Sequence, residues 1–356
     1  MSVINQALNM AYKPLNTANY YPTIAIIGCG VISGAHLQAY SKAGYNVVAL
    51  CDLNEDNMKK RQQEFYPMAK LYTDFNDVLA DPNIDIVDIT THPDIRVTMI
   101  EKSISAGKHI LSQKPYVLNL EDGLRLARLA QAKGIKLAIN QNARWAPHFS
   151  YLKECVNQGL IGEVQDVQMA VNWDHNMIAT MPFNEMKYAI LYDFGIHWFD
   201  MLAAIMYPKK AIDVYSSATI GINQLAKPPL LNNTIIRYEN AQASIIFSAN
   251  TLFGQSDRTV IIGSKGTLVS EGPSLNEQAI TLYTAEGSVS PNLEGMWFTD
   301  GFHGAMAELI NAIEEDRTPQ TNALDNLESL GVCFAAVSSA ENNRPVKPSE
   351  SVSLPK

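Results

Sequence analysis

The chain lacks the features of a membrane protein, a disulfide-stapled protein or a nucleic-acid binder. No stretch of its 356 residues approaches the roughly 20 consecutive apolar residues of a membrane span. Its four cysteines, Cys29, Cys51, Cys155 and Cys333, are too scattered for a zinc pattern or a disulfide framework, so reduced thiols are expected. Basic charge is scarce: 27 Lys and Arg stand against 36 Asp and Glu, a net charge of −9. No basic stripe is available to neutralise phosphates, which argues against nucleic acid while leaving room for a small anion held by one or two local cations. The opening MSVINQALNMAYKPLNTANYYP has neither a basic start nor an apolar run, so it does not read as a secretory signal. Internal repeats and low-complexity segments are also absent. These absences predict a soluble, cytoplasmic protein with no membrane partner.

What is present is material for packed cores, 47% hydrophobic residues against 18% charged, in a length that suggests two domains. From Thr23 to about Asn140, TIAIIG, NVVALCD, AKLYTD, IDIVDIT, KHILSQ and IKLAIN read as strands. Residues 34–44, 55–65, 93–106 and 120–133 between them have helical spacing. Ile- and Val-rich strands alternating with helices predict a parallel sheet covered on both faces. After about residue 143 the pattern changes. A helix over 146–158 leads into QDVQMAVNW, VYSSATIGI, TIIRYENAQASIIFSA, RTVIIGSKGTLVS and AITLY, which alternate with period two. Hairpin punctuation at Glu239-Asn240 and at Gly263 to Gly266 predicts an antiparallel sheet backed by helices. Two more helices are expected, over about 303–316 and 321–341. The predicted class is therefore α/β followed by α+β. Its expected segments are an arm (1–20), a dinucleotide-binding domain (21–142), an α+β domain for substrate and oligomerisation (143–320), and a closing helix and tail (321–356).

TIAIIGCGVISGAH, residues 23–36, runs strand, Gly28-x-Gly30-x-x-Ser33-Gly34, helix. In a dinucleotide fold the first glycine makes the tight turn and the second lets the backbone approach the pyrophosphate. The helix start then offers unpaired N–H groups and a positive dipole end. Ser33 stands where the simplest fingerprint has its third glycine. Asp52 ends the second strand, where an acid is expected on the adenosine ribose hydroxyls. It would repel a 2′-phosphate, so NAD is expected over NADP, although Lys59, Lys60 and Arg61 follow closely.

HILSQKPY ends its strand in Gln113-Lys114-Pro115. Ligands of open α/β sheets sit beyond the carboxyl ends of strands, which would aim Lys114 at the nicotinamide end of a dinucleotide. Position alone leaves a solvated loop lysine as the plain alternative. Together GCGVISGAH, Asp52, SAGKHILSQKPY, NARWAP, GLIGEV, LYDFGIHWFD, IIGSKGTL and GFHGAMAELINAIEE resemble the glucose–fructose oxidoreductase/inositol dehydrogenase (Gfo/Idh/MocA) family, in family order from about residue 23 to the last helix. Two departures stand out. Gln113 replaces the usual glutamate of Glu-Lys-Pro, and Pro93-Asp94-Ile95-Arg96 carries arginine where many members have histidine. Neither is expected to touch the reacting atoms, and both bear on cofactor contacts. The cofactor contacts expected are Gly28, Gly30, Val31, Ile32, Asp52, Leu53, Thr91, His92, Gln113, Lys114 and Asn142.

YDFGIHWFD, residues 192–200, reads as helix. At 100° per residue Asp193, His197 and Asp200 share a narrow arc, beside an apolar stripe of Leu191, Phe194, Trp198, Met201, Leu202 and Ile205. One reading is an i,i+4 pair supporting the helix. A metal site is another, with His175 as a further ligand, but no recognisable ligand set accompanies it. The third is acid–base chemistry, in which a histidine takes a hydroxyl proton while a carboxylate orients it. The resemblance implies the third, with Lys114, Asp193 and His197 as the catalytic residues; Asp200 reads as structural, and no metal is expected. It also implies a sugar, cyclic polyol or sugar derivative as substrate. Arg144 and Trp145, after the sixth strand, and Trp173 and His175, after the first strand of the second domain, are the further substrate candidates. A homodimer or homotetramer is expected, with the N-terminal arm reaching a neighbour. NAD-dependent glycoside hydrolysis through transient oxidation, and a non-catalytic NAD-binding regulator, are the alternatives.

Overall fold

The period-two and helical patterns fold as two units, each with its own sheet, in a computed structural model that describes residues 2–17 and 19–354. Residues 1, 18, 355 and 356, over which the expected arm and tail also extend, lie outside the described residues. Ahead of the first strand, α1 (Val3–Leu8) forms in the expected arm, started by Ser2, whose side chain accepts from the Asn5 N–H.

The parallel-sheet unit begins at Lys13. Its elements are β1 (Thr23–Ile27), α2 (Val31–Ala43), β2 (Asn46–Cys51), α3 (Glu55–Phe65), β3 (Lys70–Tyr72), α4 (Phe75–Ala80), β4 (Ile86–Ile89), α5 (Pro93–Ser105), β5 (His109–Gln113), α6 (Leu120–Ala132) and β6 (Leu137–Asn140). All six strands are parallel in the order β3-β2-β1-β4-β5-β6. The order reverses between β1 and β4, the switch point beyond which ligands of such sheets bind.

The chain continues with α7 (Pro147–Asn157), β7 (Val164–Asn172), α8 (Ile196–Met206), β8 (Asp213–Thr219), β9 (Leu231–Tyr238), β10 (Ala241–Ser248), β11 (Ser256–Gly263), β12 (Gly266–Ser274), β13 (Glu277–Thr284), β14 (Gly287–Val289), α9 (Trp297–Glu314) and α10 (Ala323–Asn342). The second sheet runs β14-β13-β12-β11-β7-β10-β9-β8 and is antiparallel except for β7 beside β10. Its strands alternate: on β9 Asn232, Thr234 and Ile236 are buried while Asn233, Ile235 and Arg237 are exposed.

The division of the chain corrects the contiguous segments expected from sequence. Met296–Leu327 returns to the parallel-sheet unit, whereas the residues up to Tyr12 and those from Glu328 on belong with the antiparallel sheet. The reason lies in packing. Phe302, Ala305, Met306, Leu309 and Ile310 of α9 complete the core of Ile24, Ile26, Leu37, Leu50 and Trp145. A Cβ on Gly304 would lie 2.2 Å from the Trp145 ring, so only glycine lets α9 approach there. Within the chain, the N-terminal segment packs on the antiparallel-sheet unit: the Tyr151 hydroxyl donates to Ala7 O (3.0 Å) and the Val3 N–H to Glu286 Oε2 (3.0 Å). No helix among the described residues is long and apolar enough to cross a membrane.

Candidate active site

At the end of β1, Gly28 takes φ +98°, which a side chain resists, and a Cβ there would crowd Thr90 and Thr91 at the end of β4. Gly30 caps α2 without a side-chain hydrogen bond, and a Cβ on it would meet nothing within 4 Å. The space beside Gly30 at the start of α2 is thus open, which fits the close approach of a pyrophosphate to the helix N-terminus. Ser33 is fully buried and donates to Gly30 O (2.7 Å), holding the turn. The close approach usually served by a third glycine falls on Gly34, whose Cβ would lie 2.9 Å from the Arg61 guanidinium.

Asp52 leaves β2 with its carboxylate braced by two amides, Cys29 N–H at 2.6 Å and Asn54 N–H at 2.8 Å. It therefore ties the glycine turn to the second strand. Val31 and Leu53 flank this corner almost fully exposed, and Ile32 packs on the core below. Arg61, one source of doubt over NADP, is folded back: it donates to Gly30 O (3.0 Å) and to Glu64 (2.8 Å). Thr91 is half-buried after β4, and His92 caps α5 exposed.

Lys114 is half-buried in the turn after β5, and its backbone N–H donates to Gln113 Oε1 at 2.7 Å. That commits the other end of the amide: Gln113 Nε2 faces His36 Nε2 at 3.2 Å, with Asn140 Nδ2 at 3.1 Å from the same atom. Two donors at Nε2 require it to accept, so the ring carries its proton on Nδ1 and donates to Asp88 Oδ2 at 2.7 Å. The Tyr40 hydroxyl donates to the same oxygen, and burial beside Asp88 holds that phenol well above its ordinary range. A buried polar network thus runs from Tyr40 and Asp88 through His36 to the lysine turn.

Asn142 accepts from Trp297 Nε1 at 3.2 Å. Arg144 is buried and donates to Gln320 O at 2.9 Å, and Trp145 lies in the core against α9. Both candidates are therefore buried, and these contacts lie within their own unit.

In the other unit the expected helix over 192–200 is two pieces. Ile190–Phe194 is a π-helical turn, in which the Gly195 N–H reaches back five residues to Ile190 O (2.7 Å), and α8 follows. A Cβ on Gly195 would lie within 2.8 Å of the Ile190 and Leu191 carbonyls, so the turn requires glycine. The extra residue in the turn shifts the register across it, and the shared arc does not form as expected. Asp200 is fully buried with Ser329 Oγ 3.3 Å away, and it does not open away from the packed face as the shared arc predicts. From Ala189 to Leu202 only Asp193, Phe194 and His197 keep appreciable exposure.

An aromatic cluster adjoins them. Trp173 stacks on His175 with ring centroids 5.3 Å apart, and the His175 ring meets Phe194 edge-on at 4.6 Å. Trp198, beneath, contacts Trp173 and Phe247. The strand end is pinned by Trp173 N–H to Ser248 O and His175 N–H to Ala249 O. Burial lowers the His175 pKa against the opposing pull of Asp174, favouring its neutral ring.

Of two further residues of note, Arg96 was named from sequence without its contacts and Asp257 was not singled out. Arg96 is buried beneath the Lys114 turn; its appearance as a departure from the common pattern was the only signal. Asp257 is 1% exposed on the inner face of β11, in a strand expected to begin one residue later.

Comparison with known proteins accords with this arrangement. Residues 23–141 match the family model described as an oxidoreductase family, NAD-binding Rossmann fold, and residues 149–269 match the GFO/IDH/MocA C-terminal domain. The chain is 25% identical to D-apiose dehydrogenase of Paraburkholderia graminis over 91% of its length and 88% of that protein. It is 23% identical to myo-inositol 2-dehydrogenase of Thermotoga maritima over 91% of its length and 98% of that protein. Among solved structures, an oxidoreductase from Agrobacterium radiobacter in complex with NAD+, L-tartaric acid and magnesium superposes with a TM-score of 0.82 at 20% identity, covering 93% of this chain and 99% of that one. With its glycine turn, its strand-end acid and its two sheets in family order, the chain belongs to the Gfo/Idh/MocA family of oxidoreductases and carries that family's NAD-binding Rossmann domain.

Proposed function

We propose that the chain is an NAD-dependent dehydrogenase of a sugar, cyclic polyol or sugar derivative, with Lys114, Asp193 and His197 as its catalytic residues. The observation that carries this reading is the exposure of Asp193 and His197, with Phe194 alone beside them, along an otherwise buried stretch next to the Trp173 and His175 rings. A carboxylate and an imidazole beside an aromatic face suit a polyhydroxylated ring, whose C–H faces pack on aromatics while its hydroxyls find polar partners. The names of the D-apiose and myo-inositol dehydrogenases support that substrate class.

Bound NAD supplies the hydride chemistry at its nicotinamide ring. His197 takes the hydroxyl proton in oxidation and returns it in reduction. Lys114 donates to the reacting oxygen and stabilises negative charge on it. Asp193 orients the reacting group. NAD is preferred over NADP because the strand-end acid Asp52 would repel a 2′-phosphate and Arg61 is committed to Gly30 and Glu64. The working particle is a homodimer or homotetramer.

A panel of sugars, inositols and aryl glycosides with NAD, followed by nicotinamide absorbance and product analysis, tests the reading. Lys114→Ala and His197→Ala should each lower turnover about a hundredfold or more while NAD affinity stays near wild type. Near-wild-type turnover in both would sink the assignment, and glycoside cleavage without net NADH would replace it with hydrolysis.

A further inference from the structure

Arg96, on α5 and 2% exposed, gathers carbonyls from two loops. Its Nε (3.0 Å) and Nη2 (2.5 Å) donate to Thr91 O, in the loop that leaves β4. Its Nη1 donates to Gln113 O (2.5 Å) and to Pro115 O, in the turn that leaves β5. β4 and β5 are parallel neighbours, Ile89 opposite Ser112, so both loops leave the same edge of the sheet. The carbonyls on both sides of Lys114 are therefore held by one guanidinium, and the Lys114 N–H is held by Gln113 Oε1.

The chemistry of the site calls for arginine. A planar guanidinium presents five donors in a fixed fork, whereas an ammonium is a point on a flexible stem and cannot span the same carbonyls at once. Bonds from a charged donor to buried carbonyls are among the stronger ones in a fold. Both departures from the common family pattern, Arg96 and Gln113, meet at this junction.

We propose that Arg96 is a positioning residue that locks the Thr91 loop to the Gln113–Pro115 turn and so fixes where Lys114 stands relative to the cofactor loop. The proposal rests on the reading of Lys114 as catalytic, but its test does not.

The full chain is compared with Arg96→Lys and with the milder Arg96→His, each first checked for cooperative thermal melting. Without NAD, reductive methylation of Lys114 is timed by mass spectrometry against Lys102, an exposed lysine on the same helix. The methylation rate of Lys114 relative to Lys102 should change about threefold or more as the turn loosens, and NAD affinity should fall as Thr91 is released. With substrate, kcat should drop about tenfold while KM for the alcohol moves little, a split that a general loss of packing does not produce. Folded variants with wild-type labelling and kcat would overturn the proposal. So would failure of both variants to fold, which would make Arg96 a strut. Lys114→Ala in the same assay separates the two readings: near-wild-type turnover there removes the catalytic role, and the labelling still decides the clamp.

Discussion

Gln113 and His36 meet nitrogen to nitrogen, Nε2 to Nε2 at 3.2 Å, and the contact works only because one is an amide and the other an acceptor. Gln113→Glu, which restores the common family residue, would set an acceptor against an acceptor in a buried site. It should cost about 1–3 kcal/mol of stability, the range for a buried polar group left unmet. Urea unfolding at neutral pH measures this. A variant as stable as the wild type would show that the ring accommodates either partner.

Asp52 holds two amides, so its substitution acts on selectivity and on the turn together. Asp52→Ser removes the charge opposing a 2′-phosphate. The ratio of kcat/KM with NAD to that with NADP should fall about tenfold, equivalent to about 1.4 kcal/mol. NAD affinity should weaken as well, because Cys29 and Asn54 lose a charged acceptor. An unchanged cofactor ratio would contradict the ribose role.

The parts of the molecule that were legible in sequence are those governed by local rules. Apolar runs alternating with helices marked the parallel sheet, period-two alternation marked the second sheet, and the strand–glycine–helix order marked the turn that Gly28 and Gly30 now form. Helix periodicity marked α9 without saying which sheet it serves, because an amphipathic face carries no address; Gly304 beneath Trp145 settles that only in three dimensions. The π-helical turn before α8 was illegible for a related reason: it preserves helical composition while adding one residue, so it changes how Asp193 is placed relative to His197 without leaving a mark in the sequence. Arg96 and Gln113 read as two separate departures until the fold brought them together.

The outer face of the antiparallel sheet bears on assembly. Tyr215 and Ile235 pair across β8 and β9 and are 43% and 51% exposed. Large apolar side chains paired on an uncovered sheet face suit contact with a second copy. Light scattering should give a mass of at least twice the 39.3 kDa chain, and Ile235→Glu should shift the particle toward the monomer. A wild-type monomer would refute the assembly.

Asp257 gives the sharpest pH prediction. It points to the inner face of β11, opposite Val171 on β7 and Gly272 on β12, and neither carboxylate oxygen has a hydrogen-bond partner among the described residues. Burial raises its pKa from 3.8 to about 7, so the native fold holds the neutral acid where the unfolded chain releases the proton. Its contribution to stability is therefore complete below about pH 4, declines as pH rises, and is lost above about 7. The loss amounts to about 4 kcal/mol at most. Asp257→Asn keeps the shape and cannot ionise. It should match the wild type near pH 4 and exceed it at pH 8 by up to that amount, read from chemical unfolding across the range. A variant less stable than the wild type at pH 8 would mean that the ionised carboxylate finds compensation in the native protein.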